Sequence, residues 1–311
     1  MSGDETRDGV SLTNLDGPLF DGSEATKRDL LDYLDAASSR LLPVLTDRPL
    51  SVIRVRPGQP PFMQKNLPKY TPAWVERVRH WAETSHREVS YALCNDRRTL
   101  LWFGNQRAVE YHPALFQGDR LTHLILDLDP PEGGGFSLAV RAAHLVRRAL
   151  DEAGLAGAVK TSGAKGVHVF VPITPGIPVD DVAAATRALA ARAERFDPEL
   201  ATTAFIREDR GGRVFLDSTR AGGATVVAAY SPRIRPGSPV SFPVAWDELD
   251  RVKPLDFTVH TVRDLAGDPW QELMPAPQDL PADLVAEGHT IPVARVQAMH
   301  EGKRRKRARG E

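Results

Sequence analysis

Residues 121–129 read LTHLILDLD, an apolar run that ends in two aspartates. The run predicts a β-strand, because its length and its leucine and isoleucine content are typical of a buried strand. Side chains alternate between the two faces of a strand, so the leucines at even positions face the core. Asp127 and Asp129 share the opposite face, about 6.6 Å apart. The stretch therefore predicts a core strand that presents two acids to a site.

The two neighbouring carboxylates predict a site for metal ions. Like charges side by side repel unless cations neutralise them. Hard divalent ions prefer oxygen ligands, and two ions about 3.5–4 Å apart clamp both oxygens in phosphoryl transfer. Pro130 and Pro131 end the strand, which leaves the pair at an open edge. A solvated strand end is the alternative interpretation, because Asp-x-Asp is a common string.

The segments around this strand predict a mixed α/β (α+β) sheet flanked by helices. Two strands are joined by the tight turn SGAKG, so a purely parallel sheet is not expected. Ser137 is expected to cap the first helix and Gly154 to end it. The predicted strands are residues 158–161, 167–171, 213–217 and 225–229, and the predicted helices are residues 137–154 and 181–196.

The chain on either side of this sheet is less regular. A helix is expected to begin near Thr26, which forms a capping box with Asp29. Residues 50–55 predict a strand, whereas the proline-rich residues 57–72 predict a loop. The predicted parts of the chain are a flexible leader over residues 1–10, a catalytic domain over residues 11–270 and a C-terminal extension with a basic tail over residues 271–311.

Composition excludes several classes of protein. No apolar stretch is long enough to cross a membrane, and the N-terminus lacks the apolar core of a secretory signal, so a cytoplasmic protein is predicted. Cys94 is the single cysteine, which excludes disulfides within the chain and a cysteine-based zinc site. The formal net charge of −1 conceals an uneven distribution, because residues 303–309 read KRRKRAR and arginines crowd residues 207–235.

A glycine turn and a third acid supply further candidate chemistry. The stretch SGAKGVHV combines Ser162, Lys165 and His168 with two glycines, whose backbone N–H groups can converge on an anion. Asp217 ends another apolar run, with arginines on both sides that offer forked donors to a triphosphate. Taken alone, the first stretch is equally interpreted as a hairpin with an exposed lysine, and the arginines as a solvated surface.

Eight segments in order make the chain resemble the polymerase domain of bacterial ATP-dependent DNA ligase D, in the archaeo-eukaryotic primase superfamily. The resemblance runs from about residue 12 to residue 270, and the order and spacing of the segments make it specific. The segments are LTNLD (12–16), ATKRDLLDYL (25–34), FMQKNLP (62–68), VEYHPAL (109–115), LILDLDP (124–130), TSGAKGVHVFVP (161–172), RGGRVFLD (210–217) and AYSPRIRPG (229–237).

This resemblance implies a primase-type catalytic core with two Mn²⁺ or Mg²⁺ ions and no organic cofactor. Asp127, Asp129 and Asp217 are implied as the metal ligands and His112 as a further catalytic residue. The implied nucleotide-binding residues are Ser162, Lys165, His168, Arg210, Arg220, Arg233 and Arg235. The implied DNA contacts are Lys27 at a downstream 5′-phosphate, Phe62 against template bases and Lys65 as a further cation.

The chain departs from the family pattern at its DNA contacts. Gly17 stands where the family usually has a second lysine for the 5′-phosphate. Met63 replaces the second stacking aromatic, and Ser218 and Thr219 replace a tryptophan-serine pair after the third acid. The catalytic set is intact, whereas the grip on the DNA end is altered.

The resemblance implies a template-dependent nucleotidyltransferase that extends primers or fills gaps during DNA repair, with ribonucleotides favoured. Its implied partners are primer-template or gapped DNA and nucleoside triphosphates, with Ku and a separate DNA ligase as further partners. Two alternatives stay open: a non-catalytic adaptor that binds DNA ends, and a two-metal phosphoesterase, which needs the acids but not the phosphate cradle.

Overall fold

The structure, a computed structural model, describes residues 5–82, 87–221 and 224–293, and the predicted basic tail lies outside them. Two larger sheets dominate these residues. The strands are β1 (Glu5–Arg7), β2 (Val10–Leu12), β3 (Leu50–Arg56), β4 (Gln59–Gln64), β5 (Arg77–Ala82), β6 (Arg87–Ala92), β7 (Ala108–Pro113), β8 (Phe116–Gln117), β9 (Arg120–Leu121), β10 (His123–Asp129), β11 (Ala158–Thr161), β12 (Val167–Pro172), β13 (Ala201–Thr202), β14 (Val214–Asp217) and β15 (Pro243–Val244). The helices are α1 (Lys27–Ala36), α2 (Ser38–Leu45), α3 (Arg97–Asn105), α4 (Phe136–Glu152), α5 (Val179–Phe196), α6 (Pro269–Leu273) and α7 (Ala282–Thr290).

A six-stranded sheet carries the central predicted strand, β10. Its order is β13-β14-β10-β12-β11-β15, and every neighbouring pair is antiparallel except β13 and β14. Leu124, Leu126 and Leu128 are fully buried on the face that packs against α4 and α5. The mixed sheet with flanking helices is therefore confirmed, and the two aspartates of β10 lie on the face that these helices leave free.

The second sheet has five strands, with β3 at its centre. β3 pairs with β4, β6 and β7, and β5 extends the sheet beyond β6. The chain after Thr225 runs beside β7, where Ala228 N donates to Tyr111 O and Tyr111 N donates to Ser231 Oγ, both at 2.9 Å. It then reaches the first sheet through Ser241, whose Oγ donates to Thr161 O at 2.8 Å. This segment holds the two sheets together.

The first helix begins as predicted, and a short hairpin precedes it. Thr26 caps α1, accepting from Asp29 N at 3.2 Å and donating its own N–H to Asp29 Oδ2 at 2.7 Å. Residues 5–12 form the β1–β2 hairpin within and just beyond the predicted leader, and ion pairs hold this hairpin to α1. Arg7 Nη2 lies 2.6 Å from Asp32 Oδ1, and Arg28 Nη1 lies 2.6 Å from Glu5 Oε2.

Three expectations about local structure are wrong. The proline-rich stretch contains β4, which tolerates Pro60 and Pro61 because it is an edge strand. Ser137 does not cap α4, which begins at Phe136 after an N-cap glycine without any side-chain cap. Residues 225–229 form no strand, because their backbone bonds serve the junction between the sheets and only Thr225 makes an isolated bridge.

The described part of the C-terminal extension, residues 271–293, packs against α5. Helix α7 lies against α5, where Arg192 Nε donates to Glu287 Oε2 at 2.8 Å and His289 Nε2 lies 2.8 Å from Asp181 Oδ1. Among the described residues, no helix has the length and apolar character needed to cross a membrane.

Candidate active site

The three predicted acids meet on the free face of the six-stranded sheet. Asp127 of β10 lies directly opposite Asp217 of β14 on one side and His168 of β12 on the other. Side chains of directly opposed residues lie on the same face of a sheet, so the three groups form a row across three strands. Asp129 lies one step further along the same face, opposite Phe215.

An arginine bridges the two opposed carboxylates. Arg220 Nη2 lies 2.7 Å from Asp127 Oδ2 and 2.9 Å from Asp217 Oδ2. The second oxygen of Asp217 accepts from Thr219 N at 2.9 Å and from Thr219 Oγ1 at 2.6 Å. Burial acts to lower the pKa of Arg220, but the neighbouring aspartates outweigh it and raise that pKa.

The acids differ in how their charge is balanced. Burial acts to raise the pKa of Asp127, yet His168 and Arg220 hold that pKa well below its usual range. Burial and the charges of Asp127 and Asp217 raise the pKa of Asp129, because the cations nearby compensate it less. Nearby cations therefore compensate the charge of Asp129 less than that of Asp127.

The poorly compensated charge of Asp129 and the carboxylate oxygen donors fit divalent cations in kind. As the side chains stand, no three of the His, Cys, Asp and Glu residues in the described ranges are gathered tightly enough to hold an ion. Arg220 Nη2 lies between the carboxylates of Asp127 and Asp217 and supplies positive charge there in place of a metal ion. Ion binding at this pair requires the guanidinium to withdraw.

A buried hydrogen-bonded chain leads away from Asp127. His168 Nε2 lies 3.1 Å from Asp127 Oδ1, and His168 Nδ1 lies 2.8 Å from Lys160 Nζ. Burial first, and then the charge of Lys160, lower the pKa of His168 to about 4. Lys160 was not predicted from the sequence, although a charged residue inside the strand AVKT is a usable signal. The SGAKG turn between β11 and β12 places Lys160 opposite His168.

The SGAKG turn lies beside the acids and is tied by its own serine. Ser162 Oγ accepts from Gly166 N at 3.1 Å and from Ala164 N at 3.3 Å. A Cβ at Gly166 would lie 2.8 Å from Leu128 O and 3.6 Å from Asp129 Oδ1, so only glycine allows this close approach. The turn is therefore fixed against the end of β10.

Two other residues of the SGAKG turn, Gly163 and Lys165, contact the chain on either side of it. Gly163 has a φ of +68°, and a Cβ there would lie 2.7 Å from Arg233 Cγ and 2.9 Å from Ser241 N, so the turn has no room for a side chain at this position. Lys165 is exposed, and its Nζ donates to Pro131 O at 2.7 Å. The turn thus presents one tethered lysine next to the strand end that carries the acids.

The SPRIR stretch connects this turn to His112 on the second sheet. Arg233 Nη1 donates to Ser162 O, and Arg233 Nε lies 3.2 Å from Glu110 Oε1. Glu110 Oε2 lies 3.0 Å from His112 Nε2. Burial acts to raise the pKa of Glu110, but the bond from His112 and the charge of Arg233 lower it to about 2. Sequence reasoning missed Glu110, although its spacing of two from His112 on one strand indicated a shared face.

The remaining predicted nucleotide contacts differ in position. Arg210 stacks over Phe215, with its guanidinium carbon 3.7 Å from the ring centroid, and donates to Phe205 O at 3.1 Å. This places it beside Asp129, whose strand partner is Phe215. Arg235 is exposed at a turn after Arg233, apart from the buried network.

The predicted DNA contacts lie away from the acids. Lys27 is only 2% exposed, and its Nζ donates to Thr13 O and to Asn105 Oδ1, the latter at 2.7 Å. Burial and the charge of Arg107 lower the pKa of Lys27 to about 8. Sequence analysis placed Lys27 as a contact to a DNA end, and the structure places its ammonium inside the protein.

The other two predicted DNA contacts are accessible on the edge strand β4. The Phe62 ring has Arg56 over it at 4.8 Å and Arg54 at 5.7 Å. Lys65 follows the strand and is exposed, and Met63 is 46% exposed. This edge offers an aromatic ring with cations around it, a combination suited to a nucleic-acid strand.

A cation lies near the position of the missing lysine. Arg107 Nη2 would be 3.6 Å from a Cβ at Gly17. The same side chain donates from Nη1 to Pro18 O at 2.7 Å and to Leu19 O at 2.8 Å. The loop after Asp16 is therefore held by an arginine from the turn between α3 and β7.

Comparisons with known proteins agree with this arrangement. Residues 26–270 match the family described as LigD, primase-polymerase domain. The Bifunctional non-homologous end joining protein LigD of Bacillus subtilis is 32% identical over 286 residues, which cover 89% of this chain and 46% of that protein. The Multifunctional non-homologous end joining protein LigD of Mycolicibacterium smegmatis is 32% identical over 257 residues, which cover 79% of this chain and 33% of that protein.

A solved structure has the same fold. The polymerase domain from Mycobacterium tuberculosis ligase D, in complex with DNA, superposes with a TM-score of 0.78 at 29% identity, covering 85% of this chain and 97% of that one. The chain spans between a third and a half of the length of the curated relatives named above. On the match over residues 26–270, this chain belongs to the LigD primase-polymerase domain family.

Proposed function

We propose that this chain is a template-dependent nucleotidyltransferase that extends primers, or fills short gaps, in DNA repair by non-homologous end joining. The observation that carries the proposal is the row of Asp217, Asp127 and His168 across three strands, with Asp129 beside it. Acids on one face of a sheet suit a two-metal clamp on the attacking and leaving oxygens.

The three aspartates would hold two Mn²⁺ or Mg²⁺ ions, with Mn²⁺ preferred. When bound, such ions lower the pKa of the primer 3′-hydroxyl and neutralise charge on the triphosphate. Arg220 exchanges its bonds to Asp127 and Asp217 for bonds to phosphate oxygens, which conserves its charge-assisted pairing.

The turn beside the acids suits the triphosphate of the incoming nucleotide. His168 Nε2–H donates to a phosphate oxygen, and Lys165 adds a point charge at the turn. Arg233 is bound to Ser162 O and Glu110, so its part is to hold the turn in place, while the exposed Arg235 is free to approach the phosphates. Arg210 stabilises the charge around Asp129 from above Phe215.

The DNA would lie across the edge of the second sheet. Phe62 stacks against a template base, and Lys65 contacts the backbone. We expect the protein to prefer ribonucleotides. Its expected partners, at broken DNA ends in the nucleoid, are Ku and a separate DNA ligase.

A single incubation tests the reaction class. A labelled primer on a longer template is incubated with nucleoside triphosphates and Mn²⁺, with Asp217→Asn as the matched inactive control. Longer products that the control does not make are the expected result. Unchanged DNA indicates an end-binding adaptor, and shorter products indicate a phosphoesterase, so either outcome overturns the proposal. Parallel reactions with deoxynucleotides measure the sugar preference.

A further inference from the structure

Lys160 is a buried lysine to which the reaction proposed above assigns no role. It lies in β11, fully buried, opposite His168 of β12. Its Nζ lies 2.8 Å from His168 Nδ1 and 2.6 Å from Ser241 Oγ. Burying a lysine costs free energy unless acceptors take its protons, and replacement by an apolar residue would avoid that cost. Its presence therefore indicates a task for the hydrogen bond to His168.

The hydrogen bonds around Lys160 run in one direction. Ser241 Oγ gives its proton to Thr161 O at 2.8 Å, so it accepts from Lys160. An ionised carboxylate only accepts, so His168 Nε2, 3.1 Å from Asp127 Oδ1, carries a hydrogen. The neutral ring then has a lone pair on Nδ1, and Lys160 donates to it as an ammonium or as an amine.

We propose that Lys160 is a positioning residue that holds His168 with its hydrogen on Nε2, facing the site of the nucleotide triphosphate. The inference rests on the proposed function, because only a bound phosphate gives that N–H an acceptor besides Asp127. Without a donor at Nδ1, Asp127 alone would fix the tautomer, and less firmly once its oxygens bind metal ions, so the imidazole would present a lone pair to the phosphate for part of the time. Lys160 itself touches neither Asp127 nor substrate.

Steady-state primer extension tests this role through the variant Lys160→Met, which keeps the length of the side chain and removes the donor. The KM for the nucleotide should rise about tenfold, the loss of one charge-assisted hydrogen bond, while kcat changes less. Lys160→Arg, which keeps a donor, should recover most of the loss. The control Lys253→Met replaces an exposed lysine and should leave both constants unchanged. An unchanged KM in folded Lys160→Met overturns the proposal.

A double variant separates positioning from a general structural effect. If Lys160 acts through the imidazole, Lys160→Met adds nothing to the KM of His168→Ala, because the two residues form one unit. The same tenfold rise in both backgrounds would show that Lys160 acts independently of His168, and the proposal would fail.

Nitrogen-15 NMR gives a readout that needs no activity. The His168 signals, assigned by their loss in His168→Ala, should show hydrogen on Nε2 in the wild-type protein and in Asp127→Asn, and mixed tautomers when Asp127→Asn is combined with Lys160→Met. Hydrogen on Nδ1 in the wild type overturns the inference. If the wild type shows the expected tautomer but never extends a primer, the proposed function fails and the positioning of His168 stands.

Discussion

Asp127 and Asp217 lie directly opposite each other on neighbouring antiparallel strands, and one nitrogen of Arg220 bridges their carboxylates at 2.7 and 2.9 Å. The pair belongs to different segments of the chain, far apart in sequence. The pairing of β10 with β14 therefore determines the geometry of the two carboxylates, from which the first two predictions follow.

Replacing any of the three aspartates should abolish extension and leave DNA binding largely intact. Asp127→Asn, Asp129→Asn and Asp217→Asn each keep the shape of the side chain and remove a charged ligand, so we expect rates to fall at least about a thousandfold. Extension by any variant within tenfold of the wild type would remove that residue from the mechanism. Binding titrations with labelled primer-template provide the control for folding.

Arg220→Ala should make the fold depend on divalent cations. Without the guanidinium, the buried carboxylates repel each other, so the Tm in chelator should fall by several degrees. Added Mn²⁺ should raise the Tm more in this variant than in the wild type, because ions replace the missing charge. Arg207→Ala is the matched control, since Arg207 pairs with Glu132 at the surface. Equal Mn²⁺ responses in the wild type and Arg220→Ala would contradict the stand-in role of Arg220.

The basic stretch KRRKRAR should contribute to DNA affinity without contributing to catalysis. Truncation after Met299 should weaken binding and flatten its salt dependence, by roughly 0.9 in the log-log slope for each phosphate that the tail no longer neutralises. On saturating DNA the extension rate should stay the same. Affinities measured from low to moderate salt decide the matter, and an identical slope in the truncated protein would show that the tail does not bind DNA.

The protein should distinguish only weakly between gaps with a 5′-phosphate and gaps with a 5′-hydroxyl. Gly17 provides no cation, and the Lys27 ammonium is already bonded inside the protein. The absence of one charge-assisted hydrogen bond costs roughly 1–3 kcal/mol, or about 5- to 150-fold in affinity. Arg107, next to Gly17, can recover part of this affinity. Gly17→Lys should increase the discrimination.

Titrations of two gapped DNAs that differ only in this phosphate measure the effect. Lys69→Ala, at an exposed lysine, controls for a general loss of charge. A strong preference in the wild type that Lys27→Ala removes and Gly17→Lys leaves unchanged would show that one lysine suffices.

Local patterns in the sequence predicted the strands of the candidate site better than they predicted its contacts. Alternation placed Asp127 and Asp129 on one face, because the period of a strand is a property of neighbouring residues. That Asp217 lies beside Asp127 follows from the strand order, which local sequence does not encode. The sequence patterns carried a signal for Lys160 and Glu110 but did not show their roles, because those roles depend on contacts with His168 and Arg233 in other segments of the chain.

Other expectations failed for the same reason. Prolines indicated a loop where β4 forms, because the tolerance of an edge strand for proline depends on where the sheet ends. The residues after Thr225 have the composition of a strand, but their backbone groups bond across the junction of the two sheets. The contact of Lys27 with a DNA end stays a prediction, and no local pattern indicated that the loop around Thr13 covers its ammonium.

Prolines at two sheet edges disfavour strand pairing between copies of this protein. β4 ends the second sheet with Pro60 and Pro61, and β15, only two residues long, ends the first sheet with Pro243. An edge without a regular row of N–H donors is a poor template for a strand from another chain. These two edges are therefore poor sites for pairing with a strand from another copy of the chain.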